Sequence, residues 1–443
     1  MFKIFANAWR VEDIRKKLLF IFLLLFIYRV GAVLVPLPGM DLSLLNFYRY
    51  ENQGQDQVMT ILSMLMGGEI GSVFAMGIAP YITASIIMQL LTYAVPQLSQ
   101  MQKEDEEGRK KIGQITRYLA VGLAALQGAG MVFSYTRHGA HMGLSINLFY
   151  HQNMFMYITA TIAMMTGTIF IMWLAELLTE KGIGNGASFL IFANILAGLP
   201  MGFMIFWSML TDQPDIGTIA TVVAILLAFI AIIVFVVLVH EGERRIPVQY
   251  SRKAASGGLR QPQQHIPLKV NIAGVLSIIF AMSFLGLPVM VNQFAVGAGL
   301  EIGWLEFISQ FVDFNRTGGM HWIGIIIYTV LIFAFTHFYT SFAVNPIDMA
   351  ENLKKNGGFI PGIRPGKPTS DFIETTVKRL SWIGACFYSL IALTPIVMGI
   401  IVPQIQHIAF GGTSLLIVTG VALEFVKQLE SQLLMRHYKG FLE

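Results

Sequence analysis

Apolar residues run through this chain in long unbroken stretches, separated by short polar or basic connections. Such runs show neither the period of two that marks a half-buried strand nor the one-sided stripe of a helix on a soluble protein. A helix needs about 20 apolar residues to cross a bilayer. Ten stretches reach or approach that length: 18–35, 73–95, 115–135, 154–175, 183–204, 216–239, 270–291, 322–344, 381–397 and 409–429. The sixth carries no charged residue at all. The first follows Arg15, Lys16 and Lys17 as a signal peptide would, but it ends in VPLPG without a small-residue cleavage site and reads as a retained span.

Composition agrees with the pattern. Of the 443 residues, 55% are apolar and 13% charged, against about 25% charged in an ordinary soluble protein. That excludes a water-soluble enzyme and a disordered chain, and the single cysteine, Cys386, excludes an internal disulfide. The net charge of +4 matters less than its placement. With ten spans both termini share a side, and the connections on that side hold twenty-five Lys and Arg against three (Arg49, Arg137 and Arg316) on the other. Cationic connections stay in the cytoplasm, so both termini are expected there. Five spans precede the connection at 201–215 and five follow it, so two halves of opposite topology are permitted, the inverted-repeat scheme of transport proteins.

Two segments depart from plain spans. The stretch 58–72, VMTILSMLMGGEIGS, is semi-apolar and too short to cross. It reads either as a surface loop or as a re-entrant helix, which survives at membrane depth only beside protein or water. The fifth run opens abruptly at GIGNGAS, residues 182–188, as a cavity-lining helix or as one following a short turn.

Catalytic signals are poor. His240 and Glu241 do not extend to HExxH, and the nearest nucleophile pattern, Gly186-Ala187-Ser188-Phe189, lacks the final glycine of an intramembrane serine protease. No metal-ligand spacing, cofactor motif or nucleotide loop is present in the sequence. Nor is there an obvious set of midplane acids for an ion-coupled carrier. Polarity gathers instead in two basic loops, 241–269 with six cations and 345–369 with four, each with several Gly or Pro. The positive-inside rule accounts for part of that excess; a docking surface for RNA phosphate or an acidic protein accounts for the rest.

At these loops the chain resembles the SecY family, the central subunits of protein-conducting channels. The resemblance is carried by PYITASIIMQLL (80–91), EEGRKKIGQITRY (106–118), TEKGIGNGASFLIFANILAGLP (179–200), HIPLKVNIAGV (265–275), NPIDMAENLKKNGGFIPGIRPG (345–366) and FGGTSLLIV (410–418), in order along nearly the whole chain. It implies an all-α polytopic membrane protein of ten transmembrane helices in two pseudo-symmetric inverted halves, with a short re-entrant plug helix. The segments would be a cytoplasmic N-terminus (1–17), an N-terminal half (18–204) with the plug near 58–72, a C-terminal half (205–429) with cytoplasmic loops near 240–269 and 345–380, and a tail (430–443).

The resemblance further implies site residues. The pore ring would be Ile78, Ile82, Ala187, Ile191, Ile279 and Ile417; the plug would include Met64, Leu65, Gly67 and Gly68. Gln89 and Asn271 match a polar pair at a lateral gate between the second and seventh spans, and are expected to hydrogen-bond. Arg245 and Arg364 match arginines that engage the ribosome or the motor SecA. Ala187 is smaller than the aliphatic often found at its position. The implied activity is non-enzymatic passage of signal-bearing preproteins, with sideways release of spans into lipid, in the bacterial plasma membrane. Expected partners are SecE, SecG, SecA, the ribosome, signal sequences and membrane lipids, with no cofactor. A secondary transporter of a small solute is the alternative.

Overall fold

A computed structural model of the protein describes residues 8–41, 71–103, 106–141, 149, 153–212, 216–250, 264–297, 300, 302–312, 321–401 and 412–439. Thirteen helices of eight residues or more run through them: α1 (Glu12–Leu34), α2 (Ala79–Ala94), α3 (Pro96–Lys103), α4 (Glu106–His141), α5 (Met154–Lys181), α6 (Gly186–Asp212), α7 (Ile216–Glu241), α8 (Leu276–Gly297), α9 (Gly303–Val312), α10 (His321–Ala343), α11 (Pro346–Lys355), α12 (Lys367–Ile401) and α13 (Gly412–Lys439). All ten apolar runs fall on helices: α1, α2, α4, α5, α6, α7, α8, α10, α12 and α13.

Five helical segments are long and apolar enough to cross a membrane without a break, and the pair α2–α3, bent by 106°, makes a sixth. The bend sits at Val95–Pro96, where proline cannot continue the hydrogen-bond ladder. Pro200 and Pro288 likewise shorten the apolar parts of α6 and α8 to Gly186–Pro200 and Leu276–Val289. Along α7 only 17% of the most apolar stretch is buried. Ile216, Leu227, Ile230, Val234 and Leu238 are exposed there. In water such a face would be untenable; against hydrocarbon chains it is a solvated one.

Two spans begin later than the hydropathy pattern indicates. Residues 73–78 form a succession of turns, and helix starts at Ala79, after Gly77 at φ 53° and with Pro80 in the first turn. The seventh span starts at Leu276, after Gly274 at φ 63°. A left-handed glycine interrupts each apolar run without altering its composition. The turns before α2 are tied to the end of α1: Leu37 N–H donates to Gly71 O at 2.8 Å and Val73 N–H to Val35 O at 3.1 Å.

The GIGNGAS stretch is a short turn, and its polar residues are spent on the backbone. Asn185 Oδ1 accepts from Ala187 N–H at 3.0 Å, capping α6, and Thr179 Oγ1 accepts from Gly186 N–H at 2.9 Å. Gly186 lies so close to α5 that a Cβ there would stand 2.0 Å from the Ala175 carbonyl oxygen.

The fold expected as all-α carries one small sheet. Strands β1 (Glu243–Tyr250), β2 (Gln264–Lys269) and β3 (Gly358–Phe359) pair antiparallel in the order β2-β1-β3. The Gly and Pro of both basic loops conceal a period of two: Ile246, Val248 and Leu268 point inward. They pack with Leu353 of α11, Ile360, and Ile373, Val377 and Leu380 of α12 in one apolar cluster. The two loops, a hundred residues apart in sequence, therefore build a single platform at one end of the bundle.

Replacing Gly186 by alanine should lower thermal stability in detergent by about 1–3 kcal/mol, because backbone must move to admit the methyl group. Gly122→Ala in α4 meets nothing within 4 Å and should be neutral or slightly stabilising. Equal melting of the two variants would contradict the packing at the α5–α6 turn.

Candidate pore and lateral seam

Six residues expected to ring a pore come from four helices that are distant in sequence. Ile78 caps and Ile82 lies within α2, Ala187 and Ile191 lie in the first turns of α6, Ile279 in α8 and Ile417 in α13. All six fall in the large apolar core that joins the two halves: the five isoleucines are buried members of it, and Ala187 packs against it half-buried. Ile78 and Ile417 are each 1% exposed, so the cluster is closed around them. Spacing accounts for the two pairs. Ile78 and Ile82 are four residues apart, as are Ala187 and Ile191, which stacks each pair on one face.

The two halves of the chain touch along two seams. On one, α4 and α2 pack against α8; on the other, α6 packs against α13. The first seam is mainly apolar and aromatic. Across it Tyr93 of α2 meets Phe338 of α10 edge-on at 5.4 Å between ring centroids, while within the C-terminal half Phe280 ties α8 to α10 through Phe335 and Tyr339 at 6.0 and 6.1 Å.

The polar pair expected here is not formed. Gln89 Nε2 donates along its own helix to Ser85 Oγ at 3.3 Å, and Asn271 Nδ2 lies 2.8 Å from His240 Nδ1 at the end of α7. The Oε1 of Gln89 and the Oδ1 of Asn271 are both buried without a partner. Asn271 precedes α8, where the positive-φ Gly274 turns the chain, so its side chain reaches α7 and not α2. His240 was noticed in the sequence only as part of a failed metal motif; its place at the last turn of an apolar run, beside a second buried amide, is the signal that could have marked it.

On the platform, Arg245 and Arg364 are exposed. Arg245 projects from the outer face of β1, its Nε 2.7 Å from Glu243 Oε1, two residues back on the same face. An ion pair this exposed contributes little to stability. Arg364 sits between Gly362 at φ 82° and Gly366 at φ 103°, and its carbonyl accepts from Thr369 Oγ1 at 2.8 Å. Asn345 accepts from the Ile347 and Asp348 amides at 3.1 and 3.4 Å and so caps α11, which orders the same loop. Met64, Leu65, Gly67 and Gly68, expected in a plug, lie outside the described residues. Among the described residues no three His, Cys, Asp or Glu gather as metal ligands would.

Asn271→Leu should destabilise the protein by about 1–3 kcal/mol, since it strands a buried imidazole nitrogen, whereas Gln89→Leu should cost under about 1 kcal/mol. Thermal unfolding in detergent would check this. A larger loss for Gln89→Leu, or a strong coupling between the two positions, would restore the direct pair.

A family model described as SecY matches residues 72–426. A protein translocase subunit SecY of Streptomyces galbus is 42% identical over 100% of both chains, and one of Halalkalibacterium halodurans is 40% identical with the same coverage. Among solved structures, a protein conducting channel superposes with a TM-score of 0.65 at 17% identity, over 93% of this chain and 90% of the other. Sec61 in the canine ribosome-channel complex from the endoplasmic reticulum superposes with a TM-score of 0.63 at 16% identity, over 93% and 90%. Nothing in these relationships supports the small-solute transporter. Full-length identity at this level, together with a matching polytopic helical fold, places the chain in the SecY family.

Proposed function

We propose that the chain is the channel subunit of a bacterial protein translocase. It passes unfolded, signal-bearing preproteins across the plasma membrane and releases transmembrane segments sideways into lipid. The observation that supports this reading best is that Ile78, Ile82, Ala187, Ile191, Ile279 and Ile417, from both halves of the chain, belong to the apolar core that joins them. A narrow apolar constriction sheds water when empty and so resists ions, yet it offers a sliding chain no strong site to stick to. Ala187 leaves that ring wider on the α6 side. The transport step itself makes and breaks no covalent bond, so its energy must come from a partner.

Sideways release fits the seam between α2–α4 and α8. A segment presented there partitions by solvent preference, and at roughly −0.3 to −0.6 kcal/mol per Leu, Ile, Phe or Val about ten such residues decide the outcome. The Tyr93–Phe338 contact across the seam, about 0.5–1.5 kcal/mol, biases it closed without locking it. The halves 18–204 and 205–429 would part along this line, hinged where α6 meets α13.

The platform suits docking. Its sheet and helix hold Arg245 and Arg364 outward on a rigid support with its own apolar core. SecA and the ribosome would engage it from the cytoplasm, the side to which the twenty-five to three partition of Lys and Arg also assigns both termini. SecE and SecG are the expected membrane partners.

Reconstituted with SecE in liposomes, given SecA, ATP and a signal-bearing preprotein, the chain should protect that preprotein from added protease. Protection should vanish without ATP or without the signal. Failure both here and with translating ribosomes, in vesicles that bind both, would overturn the reading. Arg364→Glu should reduce SecA-driven protection at least tenfold while the channel still inserts in the membrane; normal export by this variant would remove Arg364 from the docking surface.

A further inference from the structure

Asn194 stands on the stripe of α6 that carries the ring residues. Ala187, Ile191, Asn194 and Gly198 follow one another at spacings of four, three and four residues, and so share one helix face. Asn194 is the polar member of that stripe. Its side chain is only 6% exposed, and neither its Nδ2 nor its Oδ1 has a hydrogen-bond partner. Its neighbours Leu190, Ile191 and Ile195 all belong to the apolar cluster. One turn further along, a Cβ added at Gly198 would meet nothing within 4 Å, so the stripe runs from the closed ring into open space. Across the ring, Ser283 repeats the arrangement on α8, one turn beyond Ile279: it is 5% exposed and its Oγ is likewise unpartnered.

A buried carboxamide without partners is costly, and an apolar residue of the same shape would serve packing better. The side chain is therefore matched to a partner that arrives during function. We propose that Asn194 is a hydrogen-bonding site for the main chain of the polypeptide in transit, with Ser283 as a second contact. This rests on the channel reading and extends it.

The chemistry of the site selects the peptide group. A carboxamide presents one acceptor oxygen and an N–H donor side by side, the same set as a peptide bond, so it pairs with an N–H and a C=O of an extended strand. Within the isoleucine ring those groups of the moving chain have no protein partner. Asn194 supplies the first one as the chain leaves the ring along α6. Since every residue but proline carries both groups, the contact is independent of sequence, as a conduit for varied substrates requires. A single such bond holds a chain briefly and releases it easily.

The test uses the reconstituted channel with its partners and a preprotein halted in transit by a folded C-terminal domain. Two versions of the preprotein are compared: one with ordinary amides in the segment that halts at the ring, the other with esters replacing alternate amides there, which removes N–H donors and keeps every side chain. ATP is withdrawn and loss of the protected fragment is followed over time. The unaltered channel should hold the amide chain about fivefold longer than Asn194→Leu does, the size of one ordinary net hydrogen bond. With the ester chain the difference between the two channels should shrink, since half of the N–H donors are gone and only a carbonyl acceptor remains in their place. Should Asn194→Leu fail to accumulate, Asn194→Ser makes the same comparison with a smaller difference of the same sign. Equal release of the amide chain by both channels, or equal shortening for both chains, would overturn the proposal and assign Asn194 to packing or to a bound water. Absence of any held chain in the unaltered channel would overturn the channel reading itself.

Discussion

Backbone amides at membrane depth must find their partners inside the chain, and most of this structure follows from that constraint. It makes the apolar runs helical whatever their local propensity. The same constraint explains where helix is allowed to stop. The turns at 73–78 bond back to the end of α1, and the turn between α5 and α6 is satisfied by Thr179 and Asn185. The one sheet lies at the end of the bundle, where water is available and its edges are short. Strand pairing there lets two loops far apart in sequence share a core, which gives the basic surface a rigid base.

Within the bundle the packing rules are not met everywhere. Gln89, Asn271, Asn194 and Ser283 each keep a buried polar atom unpaired, on or beside the helices that make the ring and the seam. A purely structural bundle would carry apolar residues at such positions. A conduit has reason to keep them, because its occupant brings hydrogen-bonding groups with it. The proposed ring is the complement of this arrangement: isoleucines from both halves, buried in the core that joins them, would seal by contact what no polar network could seal without also binding the substrate.

Much of this was legible in the sequence. The ten runs mark ten of the thirteen helices because membrane spans are read from composition, the least context-dependent of patterns. Sidedness could be argued from Lys and Arg placement for the same reason. Less legible were the helix starts at Ala79 and Leu276, since a left-handed glycine leaves hydropathy unchanged. The sheet was missed because β1 and β2 are short, proline-bearing and separated by thirteen residues, so their alternation reads as loop. The six expected ring residues cannot be derived from periodicity: an isoleucine facing lipid and one facing a pore look identical in a sequence, and resemblance to a family alone suggests which are which. Resemblance also misled once. It paired Gln89 with Asn271, where local geometry gives Asn271 to His240.

The central claim is that the isoleucine cluster is the path of a moving polypeptide. Its most direct test places single cysteines at Ile78, Ile82, Ala187, Ile191, Ile279 and Ile417 in a Cys386→Ser background, and at lipid-facing controls such as Leu227 and Val234 on α7. A preprotein halted in transit, with one cysteine at the depth of the ring, is then oxidised. Disulfides to all six positions and to neither control are expected. Disulfides to the controls with none to the ring, from a chain shown to be protected, would place the path outside the cluster and contradict the account.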